Sequence, residues 1–154
     1  MNKLYVLVGV PGSGKSTWVK NQDWAKDCVV VSTDAFVEDY AKQQGKTYSE
    51  VFKEYMPTAV EKMAEQVVFC RQNNLDIIWD QTSTTISSRQ RKFNMLPNYY
   101  SIAVVFRTPP DEELKKRLES RGGKKIPWSV IESMRNNWEE PTEEEGFNEI
   151  WYAE

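Results

Sequence analysis

Apolar residues gather in five short runs along the chain: Leu4 to Val8, Cys28 to Val31, Leu75 to Trp79, Ile102 to Phe106 and Glu149 to Tyr152. Runs this short and this little interrupted read as strands buried on both faces, and helical periodicity fills the intervals between them. The alternation predicts an α/β chain with a parallel sheet of four to five strands between two helical layers. Helix starts are written locally. Thr47 with Glu50 and Thr58 with Glu61 have capping-box spacing, and Pro57 between them predicts two separate helices. Val60, Met63, Ala64, Val67 and Val68 then keep an amphipathic stripe. Thr108-Pro109-Pro110-Asp111 opens another helix, which Gly122-Gly123 closes as a hinge, and a last helix is predicted to carry Val130, Ile131, Met134 and Trp138.

A length of 154 residues suits one domain, residues 1–154. No apolar run approaches the length that crosses a bilayer, and Met1-Asn2-Lys3 leads straight into the first strand without a leader. A cytoplasmic protein is expected. Cys28 and Cys70 stand outside any metal or redox spacing, and the absence of histidine leaves carboxylates or water as the proton acceptors. The net charge of −3 hides a basic stretch from Ser87 to Lys125 and an acidic one from Glu132 to Glu154. The first suits polyphosphate or a nucleic-acid backbone, or else simply forms solvated helix faces.

Directly after the first strand, Gly9-Val10-Pro11-Gly12-Ser13-Gly14-Lys15-Ser16-Thr17 fits the phosphate-binding pattern G-x-x-x-x-G-K-[ST]. Its glycines let backbone N–H groups turn inward around phosphates, Lys15 reaches the terminal phosphoryl groups and Ser16 is placed to ligate Mg²⁺. In an open parallel sheet, ligands lie beyond the carboxyl ends of the strands, so the polar residues that follow each strand are candidates. Asp34 follows the second strand and suits a proton acceptor, or else a helix N-cap. Asp80 ends a Leu75 to Asp80 run that resembles the Walker B strand, whose carboxylate holds Mg²⁺ or its waters. Arg117 and Arg121, four apart before the Gly-Gly hinge, share the helix face from which a lid would bring guanidinium groups onto a transferring phosphoryl group.

Taken in order, Gly9 to Trp18, Trp79-Asp80-Gln81-Thr82, and Leu114 to Pro127 with Arg117 and Arg121 resemble the phage-type polynucleotide 5′-hydroxyl kinases over nearly the whole chain. The resemblance implies a P-loop kinase fold with a helical lid, ATP and Mg²⁺ as cofactors, and the 5′-OH of RNA or DNA ends as acceptor. It makes Gly9, Pro11, Gly12, Ser13, Gly14, Lys15, Ser16 and Thr17 the nucleotide-binding loop, joined by Arg117 and Arg121. Asp34 becomes the general base, and Arg121 the lid arginine that stabilises the transition state. Ser16 and Asp80 are the implied metal ligands, and Asp34, Asp80, Thr82 and Arg89 would border the acceptor. Two departures stand out. Val37 occupies a position where family members often carry an arginine for the acceptor's 3′ phosphate, and no D-x-D phosphatase pattern is present, so a separate phosphatase or ligase is the implied partner. A kinase for a nucleoside, nucleotide or metabolite hydroxyl is the competing expectation. A nucleotide-dependent switch ranks last, for want of an N-K-x-D element.

Overall fold

The computed structural model describes residues 1–153. Its elements run β1 (Lys3–Val8), α1 (Lys15–Lys20), β2 (Val29–Val31), α2 (Thr33–Gln44), α3 (Tyr48–Gln72), β3 (Ile77–Trp79), α4 (Ile86–Met95), β4 (Tyr100–Phe106), α5 (Asp111–Glu119), α6 (Trp128–Asn136) and β5 (Glu149–Ala153). Short 3₁₀ turns lie at Asp23–Asp27 and Glu143–Glu145. The five strands form one parallel sheet in the order β2-β3-β1-β4-β5, each within two residues of the corresponding apolar run. Because the chain leaves β1 for β2 and β3 on one side and for β4 on the other, its direction of winding reverses at β1. The crevice at the carboxyl end of β1 is therefore where a ligand fits.

Strand residues alternate between two cores. Leu4, Val6, Val8, Ile77, Trp79, Ala103 and Val105 pack under α3 and α4 against Met63, Val67 and Leu96. Tyr5, Leu7, Ile78, Ile102, Val104 and Phe106 face the opposite side, under Trp18 of α1 and Trp24. This is the predicted three-layer arrangement. A third cluster joins α5 to α6 through Leu114, Leu118, Ile131 and Met134, and it rests on Val10 of the glycine-rich loop. The predicted lid is thus a helical pair seated on the phosphate-binding turn.

Two expectations are corrected. Pro57 does not divide its region: α3 runs through it for 25 residues, and Thr58 is an interior residue of that helix. Proline removes one amide hydrogen bond and crowds the preceding turn, but burial of Val51 and Ala59 on either side of it, against Val37 and Ala41 of α2, outweighs that cost. The Thr47–Glu50 capping box does form, with the Glu50 amide bonded to Thr47 Oγ1 at 3.2 Å. Trp138 lies beyond the end of α6, where its indole N–H bonds Glu140 at 2.8 Å.

Candidate active site

Immediately past β1 the chain turns through Gly9 to Gly14 and enters α1 at Lys15. Gly14 holds φ 101° and ψ 14°, a left-handed geometry that side chains resist, and a methyl group there would approach only the Arg117 guanidinium, at 4.0 Å. Gly12, at φ 82°, backs onto α5, where an added Cβ would meet Leu114 at 2.9 Å. Close helix packing and an open cradle thus require different glycines of the same loop. The loop is pinned to the segment after β3 by the Gly9 amide, which donates to the Thr82 carbonyl at 3.0 Å.

Lys15 Nζ donates to the carbonyls of Gly9 at 2.6 Å and Val10 at 3.3 Å. Burial pulls its pKa down to about 8; Asp80 and Asp34 oppose that fall, whereas Arg121 and Lys124 add to it. The Ser13 hydroxyl is buried with no hydrogen-bond partner. A phosphate chain in the loop would meet this hydroxyl, the first amides of α1 and a poorly compensated ammonium, so the residues fit a nucleotide. Since α1 has only six residues, the attraction resides in those local N–H groups more than in a long helix dipole.

The loop forms one end of a cleft of about 2270 Å³ that also takes in Asp34, Asp80, Thr82, Arg117 and Arg121. Asp34 lies in the first turn of α2 but does not cap it: Ser32 is the N-cap, and both Asp34 oxygens are engaged across the cleft. Tyr48 of α3 donates to Oδ1 at 2.6 Å, and Lys124 donates to Oδ2 at 3.0 Å and to Glu38 at 3.4 Å. Burial would push the Asp34 carboxyl up, yet the Tyr48 hydroxyl, Lys124 and Lys15 together hold it below its ordinary value. Asp80 behaves oppositely. Burial raises its pKa, Lys15 offsets part of that rise, and the Asp34 charge adds to it. Two carboxylates of unequal acidity therefore face one recessed lysine, a division that lets one stay ionised as a proton acceptor.

Arg117 is partly committed: it donates to the Gly12 carbonyl at 3.0 Å and pairs with Glu113 at 2.6 Å. Arg121 projects into the cleft near enough to help depress Lys15. The segment after α5 is tied to α3 by Ser49, whose amide donates to the Gly123 carbonyl at 3.0 Å and whose hydroxyl accepts from the Lys125 amide at 2.8 Å. The lid and the Asp34 latch are therefore anchored to the same helix end.

Arg89 is the correction among the site residues. It is fully buried on α4, outside the cleft, with its guanidinium shared among Glu145, the Ser83 carbonyl at 2.9 Å and the Glu139 carbonyl at 2.9 Å. With its N–H groups consumed this way it has no face for an acceptor. Lys92 of the same basic stretch is also buried, its ammonium 5.2 Å from the centre of the Trp79 ring. The basic footprint on the cleft is correspondingly smaller than the charge pattern implies. Sequence reading missed Tyr48, Lys124 and Glu38 at Asp34; their separations of 14, 90 and 4 positions carry no motif, and only the Gly122-Gly123 hinge hints at Lys124.

Loop, sheet order and lid together define a nucleotide-binding α/β protein of the P-loop kinase-like class. The chain belongs to the family described as AAA domain, whose model matches residues 4–141. A chain in the structure of the Pnkp1/Rnl/Hen1 RNA repair complex is 28% identical, with a TM-score of 0.64 over 88% of this chain and 43% of that one. A sugar kinase from Janibacter sp. HTCC2649 is 19% identical at TM-score 0.64, covering 99% of this chain and 86% of its own, and shows the shared fold. Among curated proteins, the human heterogeneous nuclear ribonucleoprotein U-like protein 2 is 26% identical over 99% of this chain. The chain spans about a fifth of that relative's length, 21%. No helix among the described residues is long and apolar enough to cross a membrane.

Lys15 supplies a first prediction. Between about pH 8 and its ordinary 10.5, free Lys15 is partly neutral, whereas bound phosphates favour the ammonium. Nucleotide binding at pH 8.5 is expected to take up a fraction of a proton, and at pH 6.5 the Lys15 contribution is expected to vanish. Calorimetry in buffers of different ionisation enthalpy reads this directly; equal heats in all buffers at pH 8.5 would contradict the assignment. The sign for stability agrees. The unfolded chain holds the proton more tightly, so the penalty of burying Lys15 is present below about pH 8 and fades as pH rises toward 10.5.

Proposed function

We propose that this chain is a kinase that transfers the γ-phosphate of ATP to an alcohol, and that its acceptor is the 5′-hydroxyl end of RNA or DNA. The observation that carries the reading is Asp34: an ionised carboxylate in the same cleft as the phosphate-binding loop, held by Tyr48 and Lys124. Likeness to the RNA repair chain supports the polymer acceptor.

Asp34 takes the proton of the attacking hydroxyl as its oxygen bonds the γ-phosphorus, and the bond from that phosphorus to the bridging oxygen breaks to release ADP. A carboxylate offers about four acceptor positions, so the hydroxyl can bind while Tyr48 stays in place. Lys15 and the loop amides hold the phosphates, and Arg121, which lines the same cleft, stabilises the charge that builds on the transferring group. Ser16 and Asp80 would hold Mg²⁺, which neutralises phosphate charge when bound.

The test is labelled ATP with a panel of 5′-hydroxyl oligonucleotides, RNA and DNA, against nucleosides, nucleotides and metabolite alcohols. Label on oligonucleotides is expected; label only on small molecules would overturn the acceptor. One observation favours that second reading. Val37 is buried among Ala41, Val51 and Ala59, so the α2 position of the family's phosphate-binding arginine faces away from the cleft. A further expectation concerns the lid: Arg121→Lys should lower turnover by about tenfold or more, because a point charge cannot reproduce a planar fork. Turnover equal to the parent's would remove Arg121 from the transition state.

A further inference from the structure

The aromatic residues after Asp34 divide sharply by what they touch. Phe36 packs into the core, and Tyr40 and Tyr55 stack on each other with ring centres 4.0 Å apart and planes within 10°. Tyr48 spends its hydroxyl on Asp34. Phe52 is the one left over: it is 42% exposed, opens onto the cleft, and touches only the edge of the same array, its ring tilted 44° to Tyr48 at 5.5 Å. Tyr48, Phe52 and Met56 also stand at i, i+4 and i+8 on α3, so they form one stripe about 12 Å long leading away from the Asp34 carboxylate.

Charge accompanies that stripe. Lys42, at the end of α2, and Lys46, in the turn that leads into α3, line the same cleft, and neither is in an ion pair among the described residues. Glu38 is engaged by Lys124, Asp39 lines the same cleft, and Glu50, in the first turn of α3, feels the charge of Lys46. An apolar ring and two unpaired lysines in one cleft, one helix turn from a base that activates a hydroxyl, match a base and its phosphate more closely than they match a compact polar metabolite.

We infer that Phe52, with Met56 behind it and Lys42 and Lys46 alongside, is the subsite for the second nucleotide of a single-stranded acceptor, its base stacking on Phe52 and its backbone phosphate lying against the lysines. The inference rests on the polynucleotide reading above and narrows it to unpaired ends, since a ring between Tyr48 and Met56 admits a base only when that base is free of a partner strand. Lys42, from the end of α2, and Lys46, from the turn after it, supply the phosphate contact that buried Val37 cannot.

The test compares KM for 5′-hydroxyl oligonucleotides that are intact or abasic at the second nucleotide. For the parent protein the abasic change is expected to raise KM by about 5- to 100-fold, the range of one base–aromatic stack. Phe52→Ala should raise KM on intact strands by a similar factor and lose its sensitivity to the abasic site, while the KM for ATP stays put; Phe52→Trp should keep the sensitivity. Lys42→Ala with Lys46→Ala should raise KM and flatten its dependence on salt. Because Phe52 is half exposed, Phe52→Leu serves as a folded control that keeps bulk but loses the ring face. A parent that labels oligonucleotides while Phe52→Ala and Phe52→Leu match it on both strands would overturn this subsite alone. A parent that labels no oligonucleotide would overturn the acceptor assignment together with the subsite.

Discussion

Asp34→Asn is expected to lower phosphoryl transfer by about 10²- to 10⁴-fold, the usual worth of a positioned proton acceptor, while nucleotide binding persists. The substitution keeps an oxygen for the Tyr48 hydroxyl but places an amide opposite the Lys124 ammonium, so the hydrogen bond at 2.6 Å can survive while the ion pair at 3.0 Å is lost. That makes the variant informative. Single-turnover rates with labelled ATP measure the chemical step, and direct titration of nucleotide measures the ground state. If the rate falls only severalfold, Asp34 is a structural anchor for Lys124 and the base lies elsewhere. The pH profile gives an independent check. Tyr48, Lys124 and Lys15 hold the Asp34 pKa below its ordinary value, so its contribution should be fully present across neutral pH and disappear only when acid titrates the carboxylate. Tyr48→Phe removes a bond that favours the ionised form, and it should move the acidic limb of kcat/KM upward.

Arg89→Ala is expected to cost about 3–5 kcal/mol of stability, because it strands the Glu145 carboxylate and two carbonyls in a space from which water is excluded. The pair is almost wholly buried, with 0% and 4% of the two side chains exposed, so solvent cannot replace what is lost. For a chain of this size the melting temperature should fall by roughly 10 °C or more. Urea unfolding followed by tryptophan fluorescence reads it. A change under about 1 kcal/mol would mean that the buried network relaxes around the gap. Activity per folded molecule should follow the parent, since Arg89 ties α4 to the acidic segment from Glu139 to Glu145 and does not reach the cleft.

Those two residues differ in how far their place in the fold can be read from the sequence: Asp34 lines the cleft, and Arg89 does not. Asp34 is legible because the carboxyl end of a buried strand is a fixed place in a parallel sheet, and a carboxylate in the first turn of the next helix lies at that end. Arg89 is misplaced because the resemblance puts the loop from Gln81 to Arg89 beside the acceptor, while its partner Glu145 is 56 residues away and carries no local signal. The same blindness covers Tyr48 and Lys124. One lies 14 positions beyond Asp34 and the other 90, and their meeting depends on α3 folding back against α2 while the lid segment docks on Ser49. Pro57 fails in another way: local propensity was read correctly as unfavourable, and burial on both sides of it overruled the penalty.

The residues in order determined whatever rests on neighbours: five buried runs and thus a covered parallel sheet, a glycine pattern that lets a loop wrap phosphate, and a capping box that starts α3 at Thr47. Backbone sterics and periodic burial act over a few positions, so they are legible in a string. The folded chain alone decided which charges stay in the cleft and which are buried as struts, what holds the Asp34 carboxylate, and that the Phe52 ring stays partly exposed on the cleft. Those outcomes depend on desolvation and pairing between groups far apart in sequence, and the energy of a charge is set by what surrounds it in space.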